Sequence, residues 1–185
     1  LFLGGMPGAG KSSCVEHLTT RGLPSVYFGG IVVEETKKRN NGKTSETLEK
    51  VVREEFRAQD GNEAIVKRIV QQIDKLLETH EQVVADGLYS WTEYKFVKQY
   101  YGEKAIIVAI TAPRHIRHER LAHRPIRPLS KNEVISREYA EIENLEKGGP
   151  IANADYTVNN DGDALDMLNQ LDKILHHTGF IELEA

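Results

Sequence analysis

The feature that most constrains this chain is an eight-residue run near its start, Gly5-Met6-Pro7-Gly8-Ala9-Gly10-Lys11-Ser12. The run matches the pattern G-x-x-x-x-G-K-[ST] in full. It follows an apolar stretch at residues 1–4, which has the character of a strand, and it opens a helix predicted over residues 12–20. A strand before the run and a helix after it are the context that this pattern requires, so it predicts a loop that binds phosphate groups. The alternative is a glycine-rich turn that matches by chance.

The residue types in this loop suit the binding of a polyphosphate and a metal ion. Glycines let backbone N–H groups turn inward around phosphate oxygens, and the amino end of the following helix adds a partial positive charge. Lys11 would reach the β- and γ-phosphates of a nucleoside triphosphate, and the hydroxyl of Ser12 would coordinate Mg²⁺. The predicted nucleotide-binding residues are Gly5, Gly8, Ala9, Gly10, Lys11, Ser12 and Ser13.

Asp86 is the second predicted metal-site residue. It ends an apolar strand predicted over residues 82–85 and precedes Gly87. Enzymes with such a phosphate loop use an acidic residue in that position to orient Mg²⁺ or its water, so Ser12 and Asp86 are the predicted metal ligands. The alternative is an aspartate that only caps the next turn.

Arginines recur every three or four residues in one later segment: Arg114, Arg117, Arg120, Arg124 and Arg127. Phosphoryl transfer spreads negative charge over phosphate oxygens, and a closing segment that carries arginines would stabilise that charge and exclude water. Residues 120–137 are therefore predicted to form a lid. The alternative is a solvated basic helix face, which is the favoured interpretation for Arg114 and Arg117. The predicted catalytic residues are Lys11, Asp86, Arg120, Arg124 and Arg137.

Strand-like and helix-like segments alternate along the 185 residues, which predicts an α/β fold with a parallel sheet in a single domain, 1–185. Strands are predicted at 1–4, 25–28, 82–85, 105–110 and 155–158, with Gly29-Gly30 closing the second. Between the second and third strands, apolar residues at helical spacing predict a mostly helical insert, whose shape would set the specificity for a second substrate.

Two later helices have an explicit start signal. Ser90 with Glu93, and Ser130 with Glu133, have the spacing of a capping box. For the second of these helices, the pattern predicts a buried apolar face made of Val134, Ile135, Tyr139, Ile142 and Leu145, and an end at residues 148–150.

Composition excludes several classes of partner. The formal net charge of −4 gives no overall basic field, so we expect neither nucleic acid nor a membrane surface as a partner. The longest clean apolar run, residues 105–110, is far shorter than a membrane span. The only cysteine, Cys14, cannot form an intramolecular disulfide, which suits a reducing compartment. A cytoplasmic location is therefore expected.

Several segments together resemble a known group of enzymes. They are the phosphate loop, the Gly-x-x-x-Glu-Glu run at 30–35, the Val-Val-Ala-Asp-Gly strand end at 83–87, the Arg-Leu-x-x-Arg sequence at 120–124 and the Ala-Asp-Tyr-Thr-Val-Asn stretch at 154–159. The chain resembles the nucleoside monophosphate kinase group of P-loop proteins over nearly its full length. Within that group the nearest likeness is to adenylate-kinase-like and dephospho-CoA-kinase-like proteins.

The resemblance implies a three-layer fold around a five-stranded parallel sheet in the order 2-3-1-4-5. It implies ATP as donor, Mg²⁺ as metal ion, an acceptor-binding helical region at 31–79 and the arginine-bearing lid at 120–137. Within the phosphate loop it suggests phosphate contacts for the second and third glycines and Lys11, and a metal contact for Ser12. Among the arginines it suggests lid roles for Arg120 and Arg124, and it matches Arg137 to the arginine of the returning lid helix.

One departure from the resemblance bears on the acceptor. Dephospho-CoA kinases have an aspartate near the end of the second strand that serves as base for a hydroxyl acceptor, whereas this chain has Gly29-Gly30 there. A hydroxyl needs a base to take its proton, but a phosphate is already ionised. The departure favours a nucleotide phosphate as acceptor, unless Asp86, Glu34 or Glu35 supplies the base.

The function predicted from the sequence is an ATP-dependent kinase that acts on a small nucleotide-like acceptor, either a nucleoside monophosphate or a molecule of the dephospho-CoA type. Two alternatives are a nucleotide-binding ATPase or regulatory switch without a small-molecule acceptor, and an adaptor that binds ATP without turnover. The acceptor, the preference for ATP over GTP and the oligomeric state are left open.

Overall fold

The computed structural model describes residues 1–125 and 128–181, and within them it shows a five-stranded sheet with all neighbouring strands parallel. The order is β2-β3-β1-β4-β5, as the resemblance implied. The strands are β1 (Phe2–Gly4), β2 (Ser25–Tyr27), β3 (Val84–Asp86), β4 (Ile107–Thr111) and β5 (Tyr156–Asn159).

Helices connect the strands and cover both faces of the sheet. Short 3₁₀ turns at 61–63 and 102–104 lie between some of them. The helices are α1 (Lys11–Thr20), α2 (Phe28–Arg39), α3 (Glu46–Asp60), α4 (Ala64–Leu77), α5 (Trp91–Tyr101), α6 (Arg114–His123), α7 (Lys131–Leu145), α8 (Gly148–Ala152) and α9 (Ala164–His177).

The three layers follow from the alternation of side chains along the strands. Phe2 in β1 and Ile107 in β4 pack with apolar residues of α2 to α5, whereas the next residues, Leu3 and Val108, pack with α1 and α9. Successive side chains of a strand point to opposite faces, so each strand contributes to both cores. The predicted α/β fold is thereby confirmed, and helices α2, α3 and α4 occupy the region between the second and third strands.

The two predicted capping boxes are present. The Ser90 hydroxyl accepts the N–H of Glu93 at 3.1 Å, and the Glu93 carboxylate accepts the N–H of Ser90 at 2.9 Å. Ser130 and Glu133 make the same exchange at the start of α7. Each box satisfies N–H groups that a helix start leaves without an intrahelical partner.

The prediction that Gly29-Gly30 closes the second strand was wrong. Both glycines lie in the first turn of α2, which begins at Phe28 directly after β2. Phe28, Ile31 and Val32 are buried at helical spacing, and the free energy gained by burying them outweighs the low helix propensity of glycine.

The buried face predicted for α7 was also wrong in part. Tyr139 and Ile142 are 55% and 50% exposed, while Val134 and Glu138 are buried. The buried stripe therefore contains a carboxylate, which apolar periodicity does not reveal. The helix ends at Leu145, and residues 148–150 open α8 instead of forming a terminating turn.

Within residues 1–125 and 128–181, no helix combines the length and the apolar character that crossing a membrane would require. That residues 1–185 form one domain stays a prediction.

Candidate functional site

The phosphate loop joins the end of β1 to the start of α1, at the carboxyl edge of the sheet. Gly5, Gly8 and Gly10 all have positive φ, at 143°, 79° and 108°. A Cβ on Gly5 would lie 2.3 Å from the carbonyl oxygen of Ile110, and one on Gly8 would lie 2.7 Å from that of Arg117. The loop therefore needs glycine at these positions, and its backbone forms the open cradle that suits phosphate oxygens.

Lys11 folds back over this loop. Its Nζ donates to the carbonyl oxygens of Gly5 at 2.7 Å and Met6 at 3.3 Å. Burial and, to a smaller extent, the positive charge of Lys147 lower the pKa of Lys11 to about 8, while the charge of Asp86 acts in the opposite direction. Ser12 and Ser13 lie exposed in the first turn of α1. A phosphate in the loop would add further negative charge next to this ammonium and stabilise its charged form.

Asp86 lies at the end of β3, level with Leu3 of the neighbouring β1. Burial raises the pKa of the Asp86 carboxyl, and the charge of Lys11 opposes that rise. In the described residues, no group of three or more acidic, histidine or cysteine side chains stands ready to hold a metal ion. The oxygens of Ser12 and Asp86 fit Mg²⁺, which takes few protein ligands and completes its shell with water and phosphate oxygens.

The structure separates the predicted lid arginines. Arg120 lies beside the phosphate loop, with Nη1 3.5 Å from the carbonyl oxygen of Gly8. Arg124 is the half-buried residue that follows α6. Arg137, on α7, lies at the cleft described below. Arg127 falls outside the described residues. Of these arginines, Arg120 therefore lies at the phosphate loop and Arg137 at the cleft.

The expectation that Arg117 faces solvent was wrong. It is 8% exposed, and its Nη1 donates to Glu138 Oε1 at 2.5 Å and to the carbonyl oxygen of Pro7 at 3.4 Å. Arg114, which is exposed as expected, donates to the other oxygen of Glu138 at 2.9 Å. Arg117 therefore supports the phosphate loop from beneath and ties it to α7.

A cleft of about 620 Å³ opens between α2, α3, α7 and the segment that links β3 to α5. Phe28, Val32 and Ile65 contribute apolar surface to it. Its charged lining consists of Arg53, Arg57, Arg137, Glu49, Glu93 and Glu141. The cleft is lined by residues of the segment 31–79 and, on its opposite side, by residues of α7. That the segment 31–79 binds an acceptor and that residues 120–137 form a lid stay predictions.

The sequence analysis assigned no functional role to three residues around this cleft: Glu93, Glu141 and Lys147. Burial raises the pKa of Glu93 to about 7, although hydrogen bonds from Tyr89 and Ser90 oppose the rise. Lys147 is 2% exposed and is paired with Glu141. A glutamate in a capping box and a lysine before Gly-Gly carry no sequence signal for a cleft, since only the fold brings them together.

The phosphate loop and the cleft are electrostatically coupled. Burial is the main cause of the lowered pKa of Lys11, and charges that belong to the cleft wall act on it as well: Arg137 lowers it and Glu141 raises it. The loop and the cleft therefore face each other closely enough for charge in one to be felt in the other.

The glycine cradle and the strand order define the chain as a P-loop protein with the kinase-like fold. The TT1252 structure from Thermus thermophilus superposes with a TM-score of 0.60 at 22% identity, covering 95% of each chain. Shikimate kinase from Bacteroides thetaiotaomicron gives 0.58 at 15% identity, covering 96% of this chain and 97% of that one. A gluconokinase from Sinorhizobium meliloti gives 0.58 at 14% identity, covering 97% and 94%. At these identities the likeness concerns the fold.

The sequence comparisons give the family. Residues 1–145 match the family described as AAA domain. The UPF0200 protein of Thermococcus onnurineus is 39% identical over 165 residues, covering 87% of this chain and 88% of that protein. The UPF0200 protein of Methanocaldococcus jannaschii is 38% identical over 176 residues, covering 92% and 86%. The chain belongs to the UPF0200 family.

Proposed function

We propose that this protein is an ATP- and Mg²⁺-dependent kinase that transfers the γ-phosphoryl group to a small nucleotide-like acceptor. The observation that supports it most is a second, mixed-charge cleft whose α7 wall also supports the phosphate loop, since Glu138 of α7 holds Arg117, which donates to the carbonyl oxygen of Pro7. A nucleotide-binding switch has no need of such a cleft. The fold likeness to shikimate kinase and a gluconokinase agrees with transfer to a small molecule.

In this proposal the chain positions charge and excludes water. The loop amides and Lys11 would hold the β- and γ-phosphates of ATP. Ser12 and Asp86 would hold Mg²⁺, which neutralises charge on those phosphates when it is bound. Arg120 would approach from the loop side and Arg137 from the acceptor side, with Arg124 completing the lid. Positioned cations of this kind stabilise the charge that develops during transfer.

The cleft favours a phosphate as the attacking group. Gly29 lines it at the position where a base for a hydroxyl would be expected. Glu34 is exposed, and Glu35 is already engaged by Arg39 at 2.8 Å. Arg53 and Arg57 supply positive charge on the α3 wall. A nucleoside monophosphate therefore fits better than an alcohol, with Glu93 as the residue to test should the acceptor be a hydroxyl.

The direct test is incubation of the protein with γ-labelled ATP and Mg²⁺ against a panel of nucleoside monophosphates, dephospho-CoA and small alcohols. We expect one class of acceptor to become labelled, with ADP formed only in its presence. The Lys11→Met variant should lose this activity while keeping its fold. Slow ADP release that ignores every acceptor would support the switch instead.

The remaining expectations belong to the same proposal. A cytoplasmic location, and the absence of nucleic acid or membrane partners, follow from charge and composition and stay predictions. The preference for ATP over GTP would come from the same assay with the two labelled donors side by side.

A further inference from the structure

Helix α7 carries two carboxylates one turn apart, Glu138, which is buried, and Glu141, whose side chain is 13% exposed, and each is held by one buried and one exposed cation. Glu138 is held by buried Arg117 and by Arg114, whose side chain is 54% exposed. Glu141 is held by Lys147, whose side chain is 2% exposed, and by Arg137, whose side chain is 49% exposed. The two arrangements differ in two respects: the His118 Nε2 atom also lies 3.1 Å from Glu138 Oε2, and Arg137 lines the cleft whereas Arg114 does not.

The two oxygens of Glu141 are divided between its partners. Arg137 Nε donates to Oε1 at 2.9 Å, and Lys147 Nζ donates to Oε2. Lys147 Nζ also lies 4.8 Å from the centre of the Tyr89 ring, so the ammonium is enclosed by Glu141 on one side and an aromatic face on another. Lysine is rarely buried to this extent without a specific charge partner.

The difference in exposure between Lys147 and Arg137 determines which of them can break its ion pair with Glu141. A buried carboxylate without a counter-ion is strongly destabilising, so Glu141 must keep at least one cation. Lys147 is enclosed and remains. Arg137 is half-exposed, and an ion pair in that position contributes little. Arg137 can therefore exchange Glu141 for an anion in the cleft without leaving an unpaired charge behind.

We propose that Lys147 is a positioning residue that neutralises Glu141 from inside the protein and so frees Arg137 to bind the phosphate of the acceptor. The inference rests on the proposed function for the identity of that ligand. The ion-pair exchange itself belongs to the chain and can be measured without any substrate.

The test is the rate at which phenylglyoxal modifies Arg137, read by mass spectrometry, with Arg114 as the internal control. In Lys147→Met, Glu141 has only Arg137 left, so Arg137 modification should slow about fivefold or more while Arg114 is unchanged. Lys147→Arg should restore the wild-type rate. Equal Arg137 rates in wild type and folded Lys147→Met, or parallel slowing of Arg114, would overturn the proposal.

A second variant keeps the test valid if Lys147→Met does not fold. The double variant Lys147→Met/Glu141→Gln removes both buried charges, so it should fold, and Arg137 should react faster than in the wild type. An unchanged Arg137 rate in the double variant would also overturn the proposal. Calorimetry with MgATP on the same wild-type sample tests the proposed function separately: absence of binding would reject the kinase and leave the arginine rates interpretable.

Discussion

Asn160 joins Arg120 to the phosphate loop. Its Oδ1 accepts from Arg120 Nη2 at 3.1 Å, and its Nδ2 donates to the carbonyl oxygen of Ala9 at 2.7 Å. The side chain is 4% exposed and directly follows β5. One amide thus fixes both the loop backbone and an arginine of the predicted lid, so the loop and α6 are held in register before any ligand arrives.

This relationship predicts that Asn160→Ala impairs both stability and turnover. The buried carbonyl oxygen of Ala9 and the partly buried Arg120 guanidinium would lose their partner, and leaving a buried polar group unpaired typically costs about 1–3 kcal/mol of unfolding free energy. Turnover should fall about tenfold or more beyond any loss of folded protein, because Arg120 is no longer directed to the phosphates. Chemical denaturation and the labelled-ATP assay measure the two effects.

Asn153→Ala is the matched control. Asn153 also donates its amide to a carbonyl oxygen, that of Gly149 at 3.1 Å, but at an exposed position. It should change neither quantity appreciably. Equal effects of the two substitutions would show that Asn160 has no special role at the loop.

The charge state of Lys11 predicts a pH dependence of nucleotide binding. Burial lowers its pKa to about 8 in the free protein, so the ammonium is mostly present at pH 7.5 and largely lost at pH 9.5. Because phosphates bind the charged form, the association constant for MgATP should fall about tenfold or more over that range. Isothermal titration calorimetry at a series of pH values measures it. Lys11→Met should bind weakly with little change across the range, and a flat wild-type profile would contradict the assignment.

The local structure of the phosphate loop was predictable because its signals lie in one continuous segment. The glycine pattern, the strand that precedes it and the helix that follows occupy one continuous segment, and each needs only its neighbours in sequence to form. The same holds for the two capping boxes. The position of Asp86 was predictable for a related reason, since the end of an apolar strand places a residue at the carboxyl edge of a parallel sheet, whereas its role at a metal ion stays a prediction.

The rest depends on contacts between distant segments. Lys147 contacts Tyr89, which is 58 residues away in sequence, and Asn160 donates a hydrogen bond to Ala9, which is 151 residues away. Arg117 was expected in solvent because a row of arginines on a helix usually faces water, and only the buried carboxylate of Glu138 reverses that expectation. The pattern of residues within one segment cannot predict a counter-ion that comes from another segment.

Arg124→Ala should lower kcat far more than it weakens ATP binding. A lid arginine that acts on the charge developed during transfer stabilises the transition state more than the bound substrate, so we expect about 100-fold on kcat against about threefold or less on the MgATP dissociation constant. Steady-state kinetics with the labelled acceptor and calorimetry give the two numbers. Equal losses would make Arg124 a ground-state contact.

Arg21→Ala serves as the control for this arginine. Arg21 follows α1, and its Nη1 donates to Asp172 at 3.0 Å in an exposed ion pair. Removing such a pair typically changes stability by about 0–1 kcal/mol, so both kinetic quantities should stay close to wild type.

Glu93 gives the last prediction, which concerns stability and needs no ligand. Burial raises the pKa of its carboxyl to about 7 from an ordinary value of 4.5. The folded protein therefore holds this proton more tightly than the unfolded chain. The protonated Glu93 carboxyl thus contributes fully to the free energy of unfolding below pH 4.5, and this contribution is lost as the pH rises through 7. Glu93→Gln is neutral throughout and can keep the capping box. Relative to wild type, it should gain about 2–3 kcal/mol of unfolding free energy between pH 5 and pH 8.

The equivalent glutamate of the other capping box provides the comparison. Glu133 is exposed, and hydrogen bonds from Ser130 lower the pKa of its carboxyl. The effect of pH on stability therefore has the opposite sign for Glu133. Its ionised carboxyl stabilises the folded protein above the ordinary pKa, and this stabilisation is lost on acidification. Relative to wild type, Glu133→Gln should therefore gain no unfolding free energy between pH 5 and pH 8. Urea denaturation of the wild type and both variants at the two pH values decides the matter. If the difference in unfolding free energy between Glu93→Gln and wild type is the same at both pH values, the Glu93 carboxyl does not titrate in that range. Glu93 would then have no pKa that suits a base near neutral pH.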